Sequence, residues 1–457
     1  MDLKCKMKTK FKQTEIGLIP EEWDLVEFLD LLSEKSRNGI YKQKQFHGDG
    51  IKIINMKELF AYSRIGNQNM KRVRLNDSEM SRFLVREGDL LFARRSLVAE
   101  GSGKCSLIVE HSEPITFESS IILARPNVKI ADSKFLYYYF LSPKGRQVMA
   151  TILRQVAVSG ITGSDLMKLK IIKPIILEQK SIAKILSDID SKIELNEKMN
   201  ITLETIGKAI FKHWFIDFEF PNQEGKPYKF ADGEMIDSEL GRIPNGWQIV
   251  ILDRIKSSKP NSIATGPFGS SMKTNDYVES GIPVIRGKNI KTGMLNENEF
   301  VYVTENKANQ LKSSNAFSGD ILIVSQGNIG QVGIIPENSN YHRYILSSNL
   351  MKITCDPNIV NNFYVYYYLG SNLGQEYLLG NTSTTGVPHI AQPSVTLKRT
   401  PIILPSKNIL DLFGNIIDSI FTKISNTNSE IQTLSQLRDS LLPKLMSGKI
   451  RVPVEAK

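Results

Sequence analysis

The sequence has few of the residues that build disulfide-bonded or metal-bound proteins. Its 457 residues include three cysteines, Cys5, Cys105 and Cys355, and no two of them are close enough for a CxxC pair. This number and spacing argue against a disulfide framework and against a zinc ribbon. The five histidines show neither HxH nor HxxxH spacing, which argues against a histidine metal site. We therefore expect no bound metal.

Long apolar runs are also missing. No run approaches the roughly 18 residues that are needed to cross a bilayer. The first residues, MDLKCKMKTKFK, are charged but are not followed by the apolar region of a secretion signal. We therefore expect a cytoplasmic protein that does not associate with a membrane.

The sequence lacks the common signatures of catalysis. Gly101–Lys104 resembles a phosphate-binding loop, but Val98 stands where the earlier glycine belongs and Cys105 follows the lysine. None of the 19 prolines precedes aspartate, as in a common metal-dependent nuclease signature, or another proline, as in amino-methyltransferases. We expect no catalytic residue and no cofactor bound by this chain.

Charge is present but unevenly spread. The net charge of +10 comprises +5 in residues 15–177, −4 in residues 178–238 and +3 in residues 239–404, with the rest at the two ends. The two globular segments are therefore basic, and the stretch between them is acidic. A basic surface suits a phosphate backbone, although on charge alone an ordinary soluble basic protein would be the preferred interpretation.

Two stretches have the apolar spacing of long amphipathic helices. In residues 178–216 apolar side chains recur three or four positions apart, from Ile182 to Trp214, and the same rhythm runs from Phe413 to Leu445. A helix over 178–216 would be about 55 to 60 Å long, because each residue adds about 1.5 Å. Two such stripes predict two helices packed together, and we expect them to be antiparallel.

The chain contains an internal duplication. The phrase that ends in Trp23 returns at Trp247, a shift of 224 residues, and Gly88-Asp89 returns at Gly319-Asp320. Tyr137–Tyr139 and Pro174–Leu177 also return in the same order, at 366–368 and 401–404. The protein is therefore predicted to be two copies of one unit, each a globular domain followed by a helix.

Short apolar runs bounded by Gly, Asn, Ser and Pro predict the strands of a mixed sheet in each copy. The tyrosine-rich segments have helical spacing, and we interpret them as a helix face packed on the sheet rather than as base-stacking residues. The predicted domains are residues 1–177, a spacer helix region at 178–236, residues 237–405 and a distal helix region at 406–457. The fold class is α+β, with two duplicated mixed α/β domains joined by two long antiparallel helices in a coiled coil.

Polar residues after the predicted strands form the candidate binding site. Arg, Asn and Gln can bond to base edges, while Lys and backbone amides near glycine can hold phosphates. The candidates of the second copy are Lys273, Asn275, Tyr277, Arg286, Lys288, Asn289, Ser325, Gln326 and Asn328, and those of the first are Asn55, Lys57, Arg94, Arg95 and Lys104. For each residue, a solvated loop position is the alternative, because most polar contacts to DNA go to the backbone.

These motifs together resemble the specificity subunits of type I restriction-modification systems. The likeness lies in the repeated entry before Trp23 and Trp247, in residues 266–290 and 319–335, and in residues 174–179 and 214–221. It covers essentially the whole chain. The first copy departs from it, since it has the unrelated SEKSRNGIYKQKQFHGDG in place of GPFGSS.

The resemblance implies a non-catalytic DNA-sequence reader. In that family each globular unit is a target recognition domain that reads one half of a split double-stranded DNA site, and the paired helices set the gap. It implies two methyltransferase subunits that bind S-adenosylmethionine and two restriction subunits that use ATP and Mg. The alternatives are an adenine-N6 methyltransferase with fused specificity domains, and a structural coiled-coil connector.

Overall fold

The chain forms two compact units in the computed structural model. Unit 1 contains residues 1–194 and 431–457, and unit 2 contains residues 195–430. The structure describes residues 10–96, 101–154, 159–291, 293–297, 299–380, 382–383 and 386–453. No helix in these ranges is both long enough and apolar enough to cross a membrane.

Unit 1 is a mixed α/β unit. Its described strands are β1 Phe11–Thr14, β2 Gly17–Pro20, β3 Asp24–Glu27, β4 Arg37–Asn38, β5 His47–Ile54, β6 Arg64–Ile65, β7 Arg72–Val73, β8 Leu90–Ala93, β9 Arg95–Ser96, β10 Cys105–Ile108, β11 Ile115–Phe117, β12 Ile121–Ala124, β13 Ser159–Gly160 and β14 Lys170–Lys173. Its α-helices are α1 Met56–Ala61, α2 Asp77–Phe83, α3 Ser133–Leu141, α4 Pro143–Ala150, α5 Gly163–Met167 and the first part of α6 Ile176–Phe211. The strands form a five-stranded sheet, β4-β12-β8-β10-β6, a three-stranded sheet, β11-β5-β7, and three two-stranded pairs.

Unit 2 repeats this plan. Its described strands are β15 Met235–Ile236, β16 Ile243–Pro244, β17 Gln248–Ile251, β18 Ile263–Thr265, β19 Tyr277–Val278, β20 Ile282–Ile285, β21 Ile290–Lys291, β22 Met294–Leu295, β23 Val301–Val303, β24 Asn315–Ala316, β25 Ile321–Val324, β26 Val332–Ile334, β27 Tyr344–Leu346, β28 Leu350–Ile353, β29 Thr382–Ser383, β30 His389–Ile390 and β31 Pro401–Leu404. Its α-helices are α7 Leu252–Ile255, α8 Glu305–Gln310, α9 Asn362–Gly370, α10 Asn372–Gly380, α11 Pro393–Arg399 and the first part of α12 Lys407–Met446. The main sheets are β18-β28-β25-β26-β22-β21 and β19-β23-β20-β27-β24.

The duplication is therefore present in the strand order. The run β4-β12-β8-β10 of unit 1 corresponds to β18-β28-β25-β26 of unit 2. In both, the central strand lies antiparallel to both neighbours, β8 between β12 and β10, and β25 between β28 and β26. Four-residue apolar runs such as LLFA and ILIV are buried on both faces, which explains their lack of polar alternation. The predicted mixed α/β copies are confirmed.

The tyrosine-rich helices pack against these sheets. All residues from Phe135 to Phe140 in α3 and from Phe363 to Leu369 in α9 are buried. The hydroxyl of Tyr138 donates to Asp190 on α6 at 2.6 Å, and that of Tyr366 donates to Glu204 on the same helix at 2.6 Å. Their tyrosines therefore belong to the core, as interpreted from the spacing.

A buried ion pair stands at the start of each central strand. In unit 1, Asp89 is 1% exposed and receives two hydrogen bonds of 2.7 Å from Arg125. In unit 2, Asp320 is 1% exposed and pairs with Lys352 at 2.6 Å. The equivalent carboxylates of the two units are thus neutralised by different cations.

The long helices run antiparallel within each unit. In unit 1, Arg438 pairs with Asp190, and Arg451, beyond the end of α12, pairs with Glu178. Residue numbers therefore rise along α12 while those of its partners on α6 fall. In unit 2, Asn196 donates to Glu430 at 2.9 Å and Asn200 donates to Asn428 at 2.7 Å, while the rings of Phe215 and Phe413 lie 4.9 Å apart. The antiparallel prediction is confirmed.

A residue with a positive φ follows the end of each long helix. A π-helical turn at residues 212–216 extends α6 and leads to Phe218, whose φ is +61°, and α12 is followed by Gly448, whose φ is +68°. A left-handed residue after a helix usually is glycine, because a Cβ is strained there. Phe218 adopts this conformation with its ring 5.8 Å from that of Trp247, in an edge contact.

We expect Gly448→Ala to destabilise the protein by at least about 1 to 2 kcal/mol, the strain of a left-handed alanine. The new Cβ would also overlap the ring of Pro20 and would lie 3.4 Å from Trp23. Gly48→Ala is the matched control, because that glycine also has a positive φ but has open space around it. Urea unfolding should show a larger loss for Gly448→Ala, and equal losses would contradict the packing argument.

Candidate nucleic-acid interface

The turn between β27 and β28 brings together two of the predicted DNA-binding segments of unit 2. We call residues 347–349 the central turn of unit 2. The Ser347 N–H donates to the Ile285 carbonyl at 2.9 Å, just before Arg286. The Ser325 N–H donates to the Asn349 carbonyl at 2.8 Å. The end of β20 and the end of the central strand β25 therefore meet at this turn.

Unit 1 makes the same two bonds with different residues. Its central turn, residues 118–120, joins β11 to β12. The Glu118 N–H donates to the Ile54 carbonyl at 3.0 Å, just before Asn55. The Arg94 N–H donates to the Ser120 carbonyl at 2.9 Å. Asn55 and Arg286 therefore hold equivalent positions, and so do Arg94 and Ser325.

A glycine approaches each central turn closely. The Gly266 N–H donates to the Leu350 carbonyl, and the Gly39 N–H donates to the Ile121 carbonyl. A Cβ on Gly266 would overlap the Ser347 carbonyl, and a Cβ on Gly39 would overlap the backbone of residues 117–118. The first copy, which seemed to have unrelated residues in place of GPFGSS, therefore has the same close approach at Gly39. Its only sequence signal is an Asn-Gly dipeptide.

A short turn after β5 and β20 presents the candidate side chains of that segment. In unit 1 it is residues 55–58, which are the N-cap and first turn of α1, and in unit 2 it is residues 286–289, which form a 3-10 turn. Its first N–H is bound by the side chain of its fourth residue, from Asn55 to Glu58 at 3.0 Å and from Arg286 to Asn289 at 3.0 Å. Asn289 is 2% exposed and also donates to the Asn296 carbonyl at 3.3 Å, so it supports the turn from inside.

The third residue of this turn is an exposed lysine in both units, Lys57 and Lys288. In unit 2, Glu299 contacts both cations of the turn. Its carboxylate lies 3.0 Å from the Lys288 ammonium, and its carbonyl accepts from the Arg286 guanidinium at 2.9 Å. Glu299 has a φ of +59°, a strained conformation for glutamate that is common at functional sites.

The candidates that follow the central strands are exposed, with two exceptions. Arg95 and Gln326 are exposed, while Arg94 is half-buried and Ser325 is buried. Beyond each central strand the chain forms an antiparallel β-pairing, between Arg95 and Gly160 in unit 1 and between Gln326 and His389 in unit 2. These positions are therefore the same place in the two copies.

Lys104 is held within unit 1. Its ammonium donates to the Phe60 carbonyl at 2.6 Å and lies 5.4 Å from the centre of the Phe60 ring. Burial, followed by repulsion from Arg146, lowers the pKa of Lys104. The Lys104 carbonyl accepts a hydrogen bond from the Ala93 N–H. In unit 2 the Gln331 carbonyl accepts the corresponding hydrogen bond from the Val324 N–H.

Three candidates lie in a separate turn of unit 2. Lys273 and Asn275 are exposed, and Tyr277 begins β19 opposite Val303. Asp276 fixes this turn, since it accepts from the Lys273 N–H at 2.7 Å and pairs with Lys307 at 3.1 Å. These two contacts hold the pKa of Asp276 below its usual value. No described hydrogen bond links this turn to the central turn.

Asn328 is exposed at the rim of a cleft of about 1090 Å³ in unit 2. The end of α6, the loop after β25 and the start of α10 line this cleft. It contains apolar side chains such as Phe211 and Phe215 beside the cations Lys208 and Lys212. Neither Arg286 nor residues 347–349 are among the described residues that line this cleft.

Sequence reasoning missed the central turns themselves. Ser119 and Ser348 occupy the same place in the two turns, and each is followed by a polar residue, Ser120 or Asn349. The Asn349 side chain accepts a hydrogen bond from the Ser347 hydroxyl at 2.6 Å. The repeated Ser-x before a buried strand, in FESSI and LSSNL, was the signal that could have found them.

Comparison with known proteins gives a consistent family. A family model described as the type I restriction modification DNA specificity domain matches residues 20–205 and 264–437. The chain is 28% identical to the type I restriction enzyme MjaIX specificity subunit of Methanocaldococcus jannaschii, over 98% of both proteins. It is 24% identical to the HindI specificity subunit of Haemophilus influenzae, over 80% of this chain and 87% of that protein.

A solved structure shares the fold. The crystal structure of a type I restriction-modification system S subunit from M. genitalium matches 96% of this chain and 99% of its own, with 16% identity and a TM-score of 0.52. The family model, in turn, matches both copies of the duplicated unit. The chain therefore belongs to the family of type I restriction-modification specificity subunits, and its part in such a system is non-catalytic.

Proposed function

We propose that each unit binds one half of a bipartite double-stranded DNA site, and that the two half-sites differ in sequence. The observation that carries this proposal is the pair of central turns. Both units use the same backbone hydrogen bonds around these turns but place different side chains beside them. The same backbone arrangement with different side chains suits a protein that binds two segments of duplex DNA and recognises different bases in each.

The exposed candidate cations support a DNA partner. Lys57 in unit 1 and Lys273 and Lys288 in unit 2 are all exposed beside the segments described above. Cations at such positions can neutralise phosphates and release counterions, which supplies the sequence-independent part of the affinity. The remaining candidates provide amide and guanidinium groups that suit base edges.

We further propose that the chain scaffolds two methyltransferase subunits and two restriction subunits in the cytoplasm. The duplication supports this pairing, because two copies of one unit present two equivalent surfaces. S-adenosylmethionine would be bound by the methyltransferase subunits, and ATP and Mg by the restriction subunits. This chain would supply sequence recognition and assembly.

The proposal is tested with the full chain, expressed alone and together with its methyltransferase subunit. We expect the chain alone to transfer no methyl group and to bind DNA weakly, with a strong salt dependence. The logarithm of its affinity should fall against that of the salt concentration with a slope of about −0.9 for each phosphate neutralised. Together with the methyltransferase subunit, it should direct adenine methylation to one split motif, read by methylome sequencing.

Two results would contradict the proposal. Methyl transfer by the purified chain alone would support the fused methyltransferase instead. Affinity that stays constant between low and moderate salt would exclude the phosphate contacts.

A further inference from the structure

The internal duplication separates the residues of the candidate interface into two classes. Some equivalent positions carry the same side chain in both units, and others carry different ones. Lys57 and Lys288 are identical, as are Ser119 and Ser348. Three pairs beside the central turns differ, Asn55 and Arg286, Arg95 and Gln326, and Ser120 and Asn349. Arg94 and Ser325 also differ, but Ser325 is buried.

The equivalence rests on hydrogen bonds rather than on sequence alone. Lys57 and Lys288 are both third in a turn that the fourth side chain closes. The central turns are placed by matching bonds to the strand before that turn and to the end of the central strand. The two members of each pair therefore occupy equivalent backbone positions.

We infer that the shared residues of this interface hold DNA phosphates in both half-sites, whereas the members of the three differing pairs beside the central turns, Asn349 and Ser120 among them, select bases. This inference rests on the proposed recognition of two unequal half-sites. Phosphates are the same in every sequence, so the residues that hold them can be alike in both units. Base edges differ between the half-sites, so the residues that read them must differ.

Hydrogen bonds fix the backbone and the side-chain amide of Asn349 in an orientation that suits contact with a base. Its carbonyl accepts from the Ser325 N–H at 2.8 Å, and its side-chain Oδ1 accepts from the Ser347 hydroxyl at 2.6 Å. Its Nδ2 lies beside Gly287, where an added Cβ would be 2.9 Å away. The amide is therefore oriented next to Arg286, with donors that match acceptors on base edges. The shorter hydroxyl of Ser120 takes its place in unit 1.

Lys288 is suited to phosphate. It is exposed, and its partner Glu299 is 79% exposed, so the ion pair is weak and a phosphate can replace the carboxylate. Lys57 presents an exposed ammonium at the same place in unit 1. Ser348 is exposed and Ser119 half-buried, and serine hydroxyls commonly contact the DNA backbone.

The test compares Asn349→Ser, which copies the residue of unit 1, with Lys288→Ala. Each full chain is assembled with its methyltransferase subunit and selects binders from a pool of randomised duplexes, which are then sequenced. Asn349→Ser should change base preference at one position of one half-site by about 5- to 150-fold and leave the other half-site intact. Lys288→Ala should weaken all sequences by one factor and reduce the salt slope by about 0.9.

Asn358→Ser is the matched control, because this exposed asparagine lies beyond the opposite end of β28 and should leave the motif unchanged. Thermal unfolding of each variant identifies any loss of folding, and Asn349→Ala provides a second test at the same position. If both Asn349 variants fold and keep the wild-type motif, or if Lys288→Ala changes a base preference, the inference is wrong. If the wild-type complex selects no motif, the proposed function itself fails.

Discussion

Lys352→Ala is expected to lower the free energy of unfolding by about 3 to 5 kcal/mol, because it leaves a buried carboxylate without its cation. Lys352 is 4% exposed and Asp320 is 1% exposed, and their charged atoms are 2.6 Å apart. The hydroxyl of Thr354 is the other side-chain donor that the described residues provide to Asp320. A hydrogen bond from a neutral hydroxyl cannot replace the ammonium charge as the partner of a carboxylate that is buried away from water.

The effect is measured by urea unfolding with Lys312→Ala as control, since Lys312 is an exposed lysine of the same unit. The double variant Asp320→Asn, Lys352→Met should recover part of the loss, because removing both charges costs less than stranding one. Equal stabilities of Lys352→Ala and Lys312→Ala would show that the pair does not stabilise unit 2.

The same ion pair shows where sequence reasoning stops. The repeated Gly-Asp before an apolar run predicted an equivalent strand in each copy, and β8 and β25 confirm it. The cation cannot be found in this way, because Arg125 follows β12 whereas Lys352 lies within β28. The cations of the two equivalent carboxylates therefore stand at positions that are not equivalent. A search for a matching residue at the repeat offset does not find either cation.

Element types followed from the periodicity, but side-chain partners did not. The stripes from Ile182 and from Phe413 predicted two long helices, which the structure contains, because a 3.6-residue repeat depends only on local sequence. The candidate site depends on contacts between distant segments. Arg286 was predicted from its chemistry, but its neighbour Asn349 is 63 positions further along the chain and has no spacing that could reveal it. Asn289 appeared to be a reader and is instead buried beneath the turn.

Gly266→Ala is expected to abolish recognition of one half-site, and Gly39→Ala that of the other. At each glycine a Cβ would overlap the backbone at or beside the central turn, so the turn or the glycine segment must move. The moved turn would no longer place Arg286 beside Asn349 in unit 2, or Asn55 beside Ser120 in unit 1.

Affinity for the full site should fall about 100-fold or more, because one mismatched base pair costs about 1 to 3 kcal/mol and a half-site contains several. Binding to DNA without the site should change little, because the exposed lysines of the other unit are unchanged and, under the proposed function, would still contact phosphates. Gly370→Ala is the matched control, since that helical glycine has open space around it.

The measurement is methylome sequencing of cells that carry each variant with its methyltransferase subunit, together with binding to duplexes that contain one or both half-sites. Gly266→Ala and Gly39→Ala should lose opposite halves of one motif, because the two glycines lie in different units. Loss of the same half by both variants would contradict the assignment of one half-site to each unit. Full recognition by a folded Gly266→Ala variant would instead show that the central turn is not part of the interface.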